Sequence, residues 1–330
     1  MNQVSQIVNI VLPVFLVVGL GYGLRLIGFI TEPMNQAFSR LVFYVAVPAI
    51  LFRGVAVTTL SQPIGPETLG GLIHGSVLLT FLLKVVGGVW LVTIITSFIV
   101  YLAGAGLGPA QRGPMAQGVI RSNLVFVGLP IIINAYGQDV LGPAAVYISF
   151  ITIMYNFIAV IVLTLPHASE SGERLRLAKV LRDIATNPLI ISCVAGLLFS
   201  GLGLKLPKAL DLSFKLVGDI SMSLALIVVG AAMDFKQMRR QAVLPLLAAA
   251  VKLVIYPAGV FLTLRALGVS GETLKFAVLL VATPAAVMSA VMAREMNCDG
   301  QLAGAVVIAS TALSMFTLSA WLLLYNALGL

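Results

Sequence analysis

The sequence predicts an all-α membrane protein with ten transmembrane helices, arranged as two inverted five-helix repeats with broken, crossed helices 4 and 9. Three observations predict this fold. Hydrophobic residues make up 60% of the 330 residues and charged residues only 10%, which is too apolar for an average water-soluble domain. Apolar runs long enough to span a bilayer recur along the chain, and a polar segment separates two halves that resemble each other weakly.

Ten apolar runs are bounded by glycines, prolines or charged residues. Each is close to the roughly 20 residues that a helix needs to cross the hydrocarbon core. The first begins without a basic region or a cleavage site, so it is not predicted to be a removable signal peptide. The predicted spans are residues 5–24, 36–53, one within 69–102, 115–135, 141–165, 187–203, 212–232, 243–267, 273–293 and 301–327.

The third span is the least regular. Residues 69–102 form a stretch that is far too long for one helix across a core of about 30 Å. A single span preceded by an interfacial half-helix fits best, with Gly87 and Gly88 at a bend, and two short spans are the alternative.

The basic residues predict the orientation. With the N-terminus outside, twelve of them, Arg121 included, fall inside and six fall in outer loops or at span ends. This bias satisfies the positive-inside rule and places both termini outside the cell (inner) membrane. The net charge of +8 is then a matter of orientation, and no nucleic-acid partner is predicted.

The polar segment PHASESGERLRLAKVLRDIATNP divides five spans from five. The predicted domains are a first repeat at 1–165, a cytoplasmic linker at 166–186 and a second repeat at 187–330. Two stretches share the same order of features: a proline, a polar link with an aspartate, and a glycine followed by small residues. They are NLVFVGLPIIINAYGQDVLGPAAVYISF in the first half and VLLVATPAAVMSAVMAREMNCDGQLAGAVVIAST in the second. Because each half has an odd number of spans, the second must insert upside down. Inverted repeats of this kind are typical of secondary transporters, whose sites lie at discontinuous helices near the midplane.

The fourth span carries the stretch RSNLVFVGLPIII, in which polar and helix-breaking residues interrupt an apolar run. Pro130 lacks an amide proton and frees backbone carbonyls that hydrocarbon cannot satisfy. The amide of Asn123 can donate and accept and could bond a substrate carboxylate. Ser122 and Gly128 are candidates beside it, although Ser122 and Asn123 could instead cap the helix or hold a neighbouring one.

The ninth span carries the equivalent interruption, at Thr283, Pro284 and Ala285. The small residues that follow would let another backbone approach closely, so the two breaks are expected to cross here. Half-helix N-termini at a crossing carry positive dipole ends and favour an anion. A structural kink without ligand contact is the alternative.

Lys84 and Lys252 are the basic residues set well inside apolar runs, at equivalent positions of the two halves. An intramembrane ionisable residue is a functional hypothesis by default, and two cations would attract an anionic substrate. Snorkelling toward the interface is the alternative for flexible lysines. Asp219, inside the seventh span, could bind a proton or pair with Lys215.

Further candidates for the pocket walls are Tyr44 and Asn156, although aromatic residues at span ends more often lie in interfacial belts. Cys193 and Cys298 lie far apart, and with two histidines in the chain they support neither a disulfide framework nor a zinc site. No metal and no cofactor are predicted. The expected partners are a small organic acid, the lipid bilayer and, as an assembly, a homodimer.

Several stretches resemble the auxin efflux carrier family: LVFYVAVPAILFRG, SNLVFVGLPI with AYG, KLVIYPAGVFL, and ATPAAVMSAVMAREM followed by VVIASTALSMFTLSAWLLL. The resemblance runs nearly end to end. Plant members export the carboxylate hormone auxin, and bacterial members are mostly linked to malonate, malate or other small organic acids. It implies a scaffold bundle that moves against a transport bundle, with Asn123 and Pro130 at the fourth-helix crossover and Pro284 at the ninth. The short linker favours a bacterial malonate/malate permease-like member.

The residues and the resemblance together predict a permease or efflux carrier of a small organic anion, working by alternating access. A channel, which would show a continuous polar pore lining, and an ion-coupled symporter of another small solute are the alternatives. An enzyme is not expected, because paired acids, a Ser/His arrangement and metal ligands are not visible within the spans.

Overall fold

The computed structural model describes residues 3–56, 75–171, 182, 185–233 and 243–328. In these ranges the chain is helical, and its one β-type contact is an isolated bridge between Ser122 and Ala285. The helices are α1 (Gln3–Leu26), α2 (Glu32–Ala56), α3 (Leu78–Gly106), α4 (Pro109–Ile120), α5 (Leu124–Tyr136), α6 (Leu141–Ser171), α7 (Pro188–Gly201), α8 (Lys208–Ala231), α9 (Val243–Ala266), α10 (Gly271–Val281), α11 (Met288–Glu295) and α12 (Gly300–Ala327).

Seven of the described helices are long and apolar enough to cross a membrane, namely α1, α2, α3, α6, α8, α9 and α12. The multi-pass membrane protein expected from the composition is therefore confirmed. Predicted spans 115–135 and 273–293 are each divided between two helices. The span predicted at 187–203 is the 14-residue helix α7.

The third span is one helix from Leu78 to Gly106, so the alternative of two short spans does not hold there. It contains a π-helical segment, Phe81–Val86, which ends immediately before the predicted bend at Gly87. The interfacial half-helix predicted before this span and most of the predicted cytoplasmic linker lie outside the described residues.

Helices α1, α2, α7 and α8 pack together. Glycines bring the backbones of α1 and α8 close to each other: Gly21 lies against the backbone of Ile227, and Gly230 lies against the backbone of Val18. At one end, Arg53 of α2 donates from Nε and Nη2 to the two carboxylate oxygens of Asp211 of α8, at 2.7 and 3.2 Å. The glycine contacts between α1 and α8 are of the kind by which membrane helices usually pack closely.

Helices α3, α4, α6, α9 and α12 form a second packed group, joined by the short helices α5, α10 and α11. α4 lies against α6, where Gly113 meets the carbonyl of Val162. α9 lies against α12, and Trp321 donates from its indole nitrogen to the carbonyl of Leu253 at 3.0 Å. The candidate site lies within this second group.

Candidate functional site

The two interruptions of the helices meet in the structure. The first separates α4 from α5 at Arg121–Asn123, and the second separates α10 from α11. The amide of Asn123 donates to the carbonyl of Pro284 at 2.8 Å, and the amide of Ala286 donates to the carbonyl of Arg121 at 2.9 Å. A buried backbone amide or carbonyl without a partner is costly, and here each break supplies hydrogen-bond partners to the other.

The second break follows from its proline. Pro284 has no amide to bond the carbonyl of Leu280, and the hydroxyl of Thr283 donates to that carbonyl at 2.7 Å instead. The amide of Ala285 donates to Ser310 Oγ of α12 at 3.0 Å. The carbonyl of Val281 therefore lacks its usual helical partner and is free to accept from side chains.

The first break does not lie at Pro130. Pro130 is near the start of the Leu129–Tyr136 helix, after a π-helical segment at Leu124–Gly128. Because the π-helical segment continues directly into this helix, Pro130 lies inside α5 and the chain stays helical across it. Nearby, a methyl group at Gly128 would lie 2.9 Å from Leu280 Cδ2 and 3.4 Å from Thr283 Cγ2, so the glycine lets α5 lie close to the second break.

The side-chain amide of Asn123 has one atom in a hydrogen bond within the protein and one atom without a partner. Its Oδ1 accepts from the amide of Phe126 at 3.2 Å, which is the capping role considered above. Its Nδ2 is buried and has no hydrogen-bond partner. Since an unpaired buried donor costs roughly 1–3 kcal/mol, Nδ2 is a candidate to bind a ligand.

Lys252 lies at the junction of the two breaks and is 0% exposed. Its Nζ donates to Ser122 Oγ at 2.7 Å and to the freed carbonyl of Val281 at 2.6 Å, and it lies 4.9 Å from the centre of the Tyr256 ring. Ser122 Oγ itself donates to the same carbonyl at 3.0 Å. This lysine does not snorkel to an interface.

Arg121 is a site residue that the sequence analysis missed, because it was counted among the inner positive charges. The structure buries it at 7% exposure. It follows the last turn of α4, twelve residues or about 18 Å along the chain from Pro109. Its Nη2 donates to Asn156 Oδ1 at 2.9 Å, and its Nη1 is buried without a partner. Its place inside the fourth apolar run was the available signal.

Hydroxyl groups extend the cluster toward α3 and α6. Tyr155 donates to Ser122 Oγ at 3.1 Å and lies 3.4 Å from the hydroxyl of Tyr256. That hydroxyl lies 2.7 Å from Thr93 Oγ1. The polar groups at the breaks therefore form one connected network across four helices.

Two predicted residues lie elsewhere. Tyr44 is 62% exposed and packs edge-to-face on Phe43 at 5.3 Å. Lys84 is exposed, and its Nζ lies beside Gly268 at the end of α9. Because Gly268 is sixteen residues, or about 24 Å, beyond Lys252, the structure does not bring the two lysines together. Asp219 is also exposed, on α8.

The breaks thus bring together Ser122, Asn123, Gly128, Thr283, Pro284, Ala285 and Lys252, with Asn156 joined through Arg121. Among the described residues, neither Lys252 nor Arg121 forms an ion pair. Two basic side chains without carboxylate partners are suited to bind an anion. Over the same ranges, His, Cys, Asp and Glu form no cluster of three that could hold a metal ion.

Residues 6–322 match a family model described as "Membrane transport protein". The chain belongs to this family. The match covers nearly the whole chain and confirms the resemblance to the auxin efflux carriers.

Three curated relatives align with the transport protein almost end to end. An "Uncharacterized transporter" from Methanothermobacter thermautotrophicus is 27% identical, over 94% of this chain and 96% of the relative. An uncharacterized transporter from Methanocaldococcus jannaschii is 22% identical, over 95% and 97%. A protein from Rhizobium meliloti named "Putative malonate transporter" is 23% identical, over 98% and 97%. These names are those of transporters rather than enzymes.

Proposed function

We propose that this membrane transport protein is a secondary transporter of small organic anions that works by alternating access at the paired breaks. The observation that carries the proposal is the burial of two basic residues without a described carboxylate partner: Arg121, next to Ser122 in the chain, and Lys252, which is hydrogen-bonded to Ser122. A charge near the bilayer centre costs roughly 2.5–3.5 kcal/mol on the lowest scales. An anionic substrate would offset that cost while it is bound.

The number of cations supports a dicarboxylate over a monocarboxylate. A dianion such as malonate or malate would neutralise both Arg121 and Lys252, whereas an auxin-like carboxylate would leave one of them uncompensated. The unpaired Nη1 of Arg121 and Nδ2 of Asn123 are donors of the kind that carboxylate oxygens accept. The name of the Rhizobium relative is in line with this substrate class.

The ten-span architecture of two inverted repeats, at 1–165 and 187–330 around the linker 166–186, is part of the proposal. The helix pairs support it. α1 packs on α8 and α2 packs on α7, which are the first span with the seventh and the second with the sixth. If each span of the first half corresponds to the span five places later, exchanging the halves turns the pair α1–α8 into the pair α7–α2. The same exchange turns the pair α3–α9 into itself.

Alternating access needs one helix group that moves against another. The group of α1, α2, α7 and α8 would be the scaffold, and the group that holds both breaks would carry the substrate. The distribution of positive charges supports an orientation with both termini outside, and an inner-membrane location is part of the proposal.

The test is flux in vesicles that contain the purified protein. Uptake of labelled malonate and malate should saturate and should be accelerated by unlabelled dicarboxylate on the opposite side, with indole-3-acetate as the monocarboxylate comparison. Repeating the assay with and without sodium and proton gradients assigns the coupling. Uptake that does not saturate and shows no counterflow would indicate a channel. A mass measurement of the same preparation tests the expected homodimer.

A further inference from the structure

A groove of about 480 Å³ lies between α3 and α6, outside the network at the breaks. The side chains along it are aliphatic or aromatic apart from one serine. They are Trp90, Ile94, Ser97, Phe98, Tyr101 and Leu102 of α3, with Ile153, Met154, Phe157, Ile158, Ile161, Val162 and Leu165 of α6. Ile94, Phe98 and Phe157 on its rim are exposed, so the groove opens on the surface that faces the acyl chains.

The length of the groove corresponds to one leaflet. Trp90 and Tyr101 are eleven residues apart on α3, which is about 16 Å at a rise of 1.5 Å per residue. Half of a hydrocarbon core of about 30 Å is about 15 Å. An apolar groove that runs along two helices for this length suits a hydrocarbon chain of one leaflet.

A cation lies at one end of the groove. The guanidinium of Arg112 lies 4.4 Å from the centre of the Tyr101 ring. Its Nη2 donates to the carbonyl of Tyr101 at 3.1 Å, and its Nε has no hydrogen-bond partner. A guanidinium held at the end of an apolar groove offers its charge to a phosphate, although its Nε is buried.

We propose that this groove is a binding site for an anionic phospholipid, with one acyl chain along α3 and α6 and the phosphate against Arg112. The apolar lining supplies affinity for the chain but does not distinguish among lipids. The charge of Arg112 supplies the headgroup preference. Arg112 is among the residues that the positive-inside rule assigns to the cytoplasmic side, where the leaflet is rich in anionic lipids.

Trp90 lets this site be measured directly, because the chain has two tryptophans. In the variant Trp321→Phe, Trp90 is the remaining one, and a bromine atom on a nearby acyl chain quenches its fluorescence. The protein is placed in bilayers that contain brominated phosphatidylglycerol or brominated phosphatidylcholine at equal mole fraction. We expect apparent binding of phosphatidylglycerol to be about fivefold stronger, as one basic residue near an anionic surface predicts.

Substitutions of Arg112 separate the headgroup from the chain. Arg112→Gln should reduce the preference to about one while quenching by both lipids persists, and Arg112→Lys should retain most of it. Arg40→Gln is the matched control, because Arg40 is exposed on α2 and should leave the preference unchanged. Equal quenching by both lipids in the protein with Arg112 intact would overturn the proposal. If neither lipid quenches Trp90 and the measured mass is that of a dimer, the proposal is also overturned, and the groove is assigned to contact with a second copy of the protein.

Discussion

Lys252 Nζ lies 2.7 Å from Ser122 Oγ, in a position that no solvent reaches. The two residues belong to the eighth and fourth predicted spans, and the freed carbonyl of Val281 bonds to both of them. Lys252, in the second half of the chain, therefore bonds to Ser122 at the first break and to the carbonyl of Val281 at the second break. A substrate that binds here would contact groups from both predicted repeats.

Replacement of Asn123 by alanine tests the role of its unpaired Nδ2. Asn123→Ala removes this donor and also the cap on Phe126, so malonate flux should fall at least about tenfold, as the loss of a hydrogen bond to a charged ligand predicts. The measurement is initial uptake per folded protein in vesicles. Asn134→Ala is the control, because Asn134 is exposed and donates at 3.4 Å to the carbonyl of Ile10. Uptake within twofold of the unchanged protein would contradict the assigned role.

Lys252→Gln tests the attraction of an anion. The substitution keeps hydrogen-bonding groups near Ser122 but removes the charge, so the affinity for carboxylates should fall more than the affinity for neutral amide analogues. Competition with labelled malonate gives both values. Lys205→Gln, in the exposed loop between α7 and α8, should change neither. Parallel losses for charged and neutral compounds would refute the electrostatic role.

Arg121→Gln tests the preference for two carboxylates. The variant keeps a donor for Asn156 but leaves one buried cation in place of two. The affinity for malonate should fall about ten- to a hundredfold, because a hydrogen bond to a charged group is worth roughly 1.5–3 kcal/mol. The affinity for a monocarboxylate of the same length should change much less. An equal loss for both acids would be inconsistent with a dicarboxylate site.

Gly230→Ala tests the contact between α1 and α8. A methyl group at Gly230 would meet the backbone of Val18, which can relieve the overlap only if the helices separate. Overpacking of this kind costs typically 1–3 kcal/mol, so the melting temperature in detergent should fall by several degrees. Gly19→Ala is the matched control on α1, because no atom lies within 4 Å of the new methyl group. Equal melting temperatures for the two variants would exclude a tight contact.

Cys298 gives a test by pH, since it lies between α11 and α12. Burial, and then the charge of Asp299, raise the pKa of its thiol to about 11. Only the thiolate reacts, so the alkylation rate should rise about tenfold per pH unit from pH 7 to pH 10. In Cys193→Ser protein, mass spectrometry follows this thiol alone. A rate that levels off near pH 9 would show an ordinary, accessible cysteine.

The helical membrane fold was predictable because it depends on composition and run length. Residues 78–106 and 300–327 are long and apolar, and a bilayer leaves a helix as the form that satisfies their backbone. The interruption at Pro284 was predictable for a local reason too, since a proline cannot donate to the preceding turn. The local sequence did not predict that the first interruption lies at Arg121–Asn123 and not at Pro130. The backbone of Arg121 and Asn123 bonds to residues from the other half of the chain.

The sequence by itself determined that this protein crosses the membrane many times, that it carries two irregular helices, and that it belongs among transport proteins. The tertiary structure decided which polar residues act together. Lys84 and Lys252 occupy matching places in the chain, yet Lys84 is exposed on α3, beside the end of α9, and Lys252 is buried between the breaks. The physical reason is that burial and hydrogen-bond partners depend on contacts between distant segments, and such contacts leave no periodic signal in the sequence.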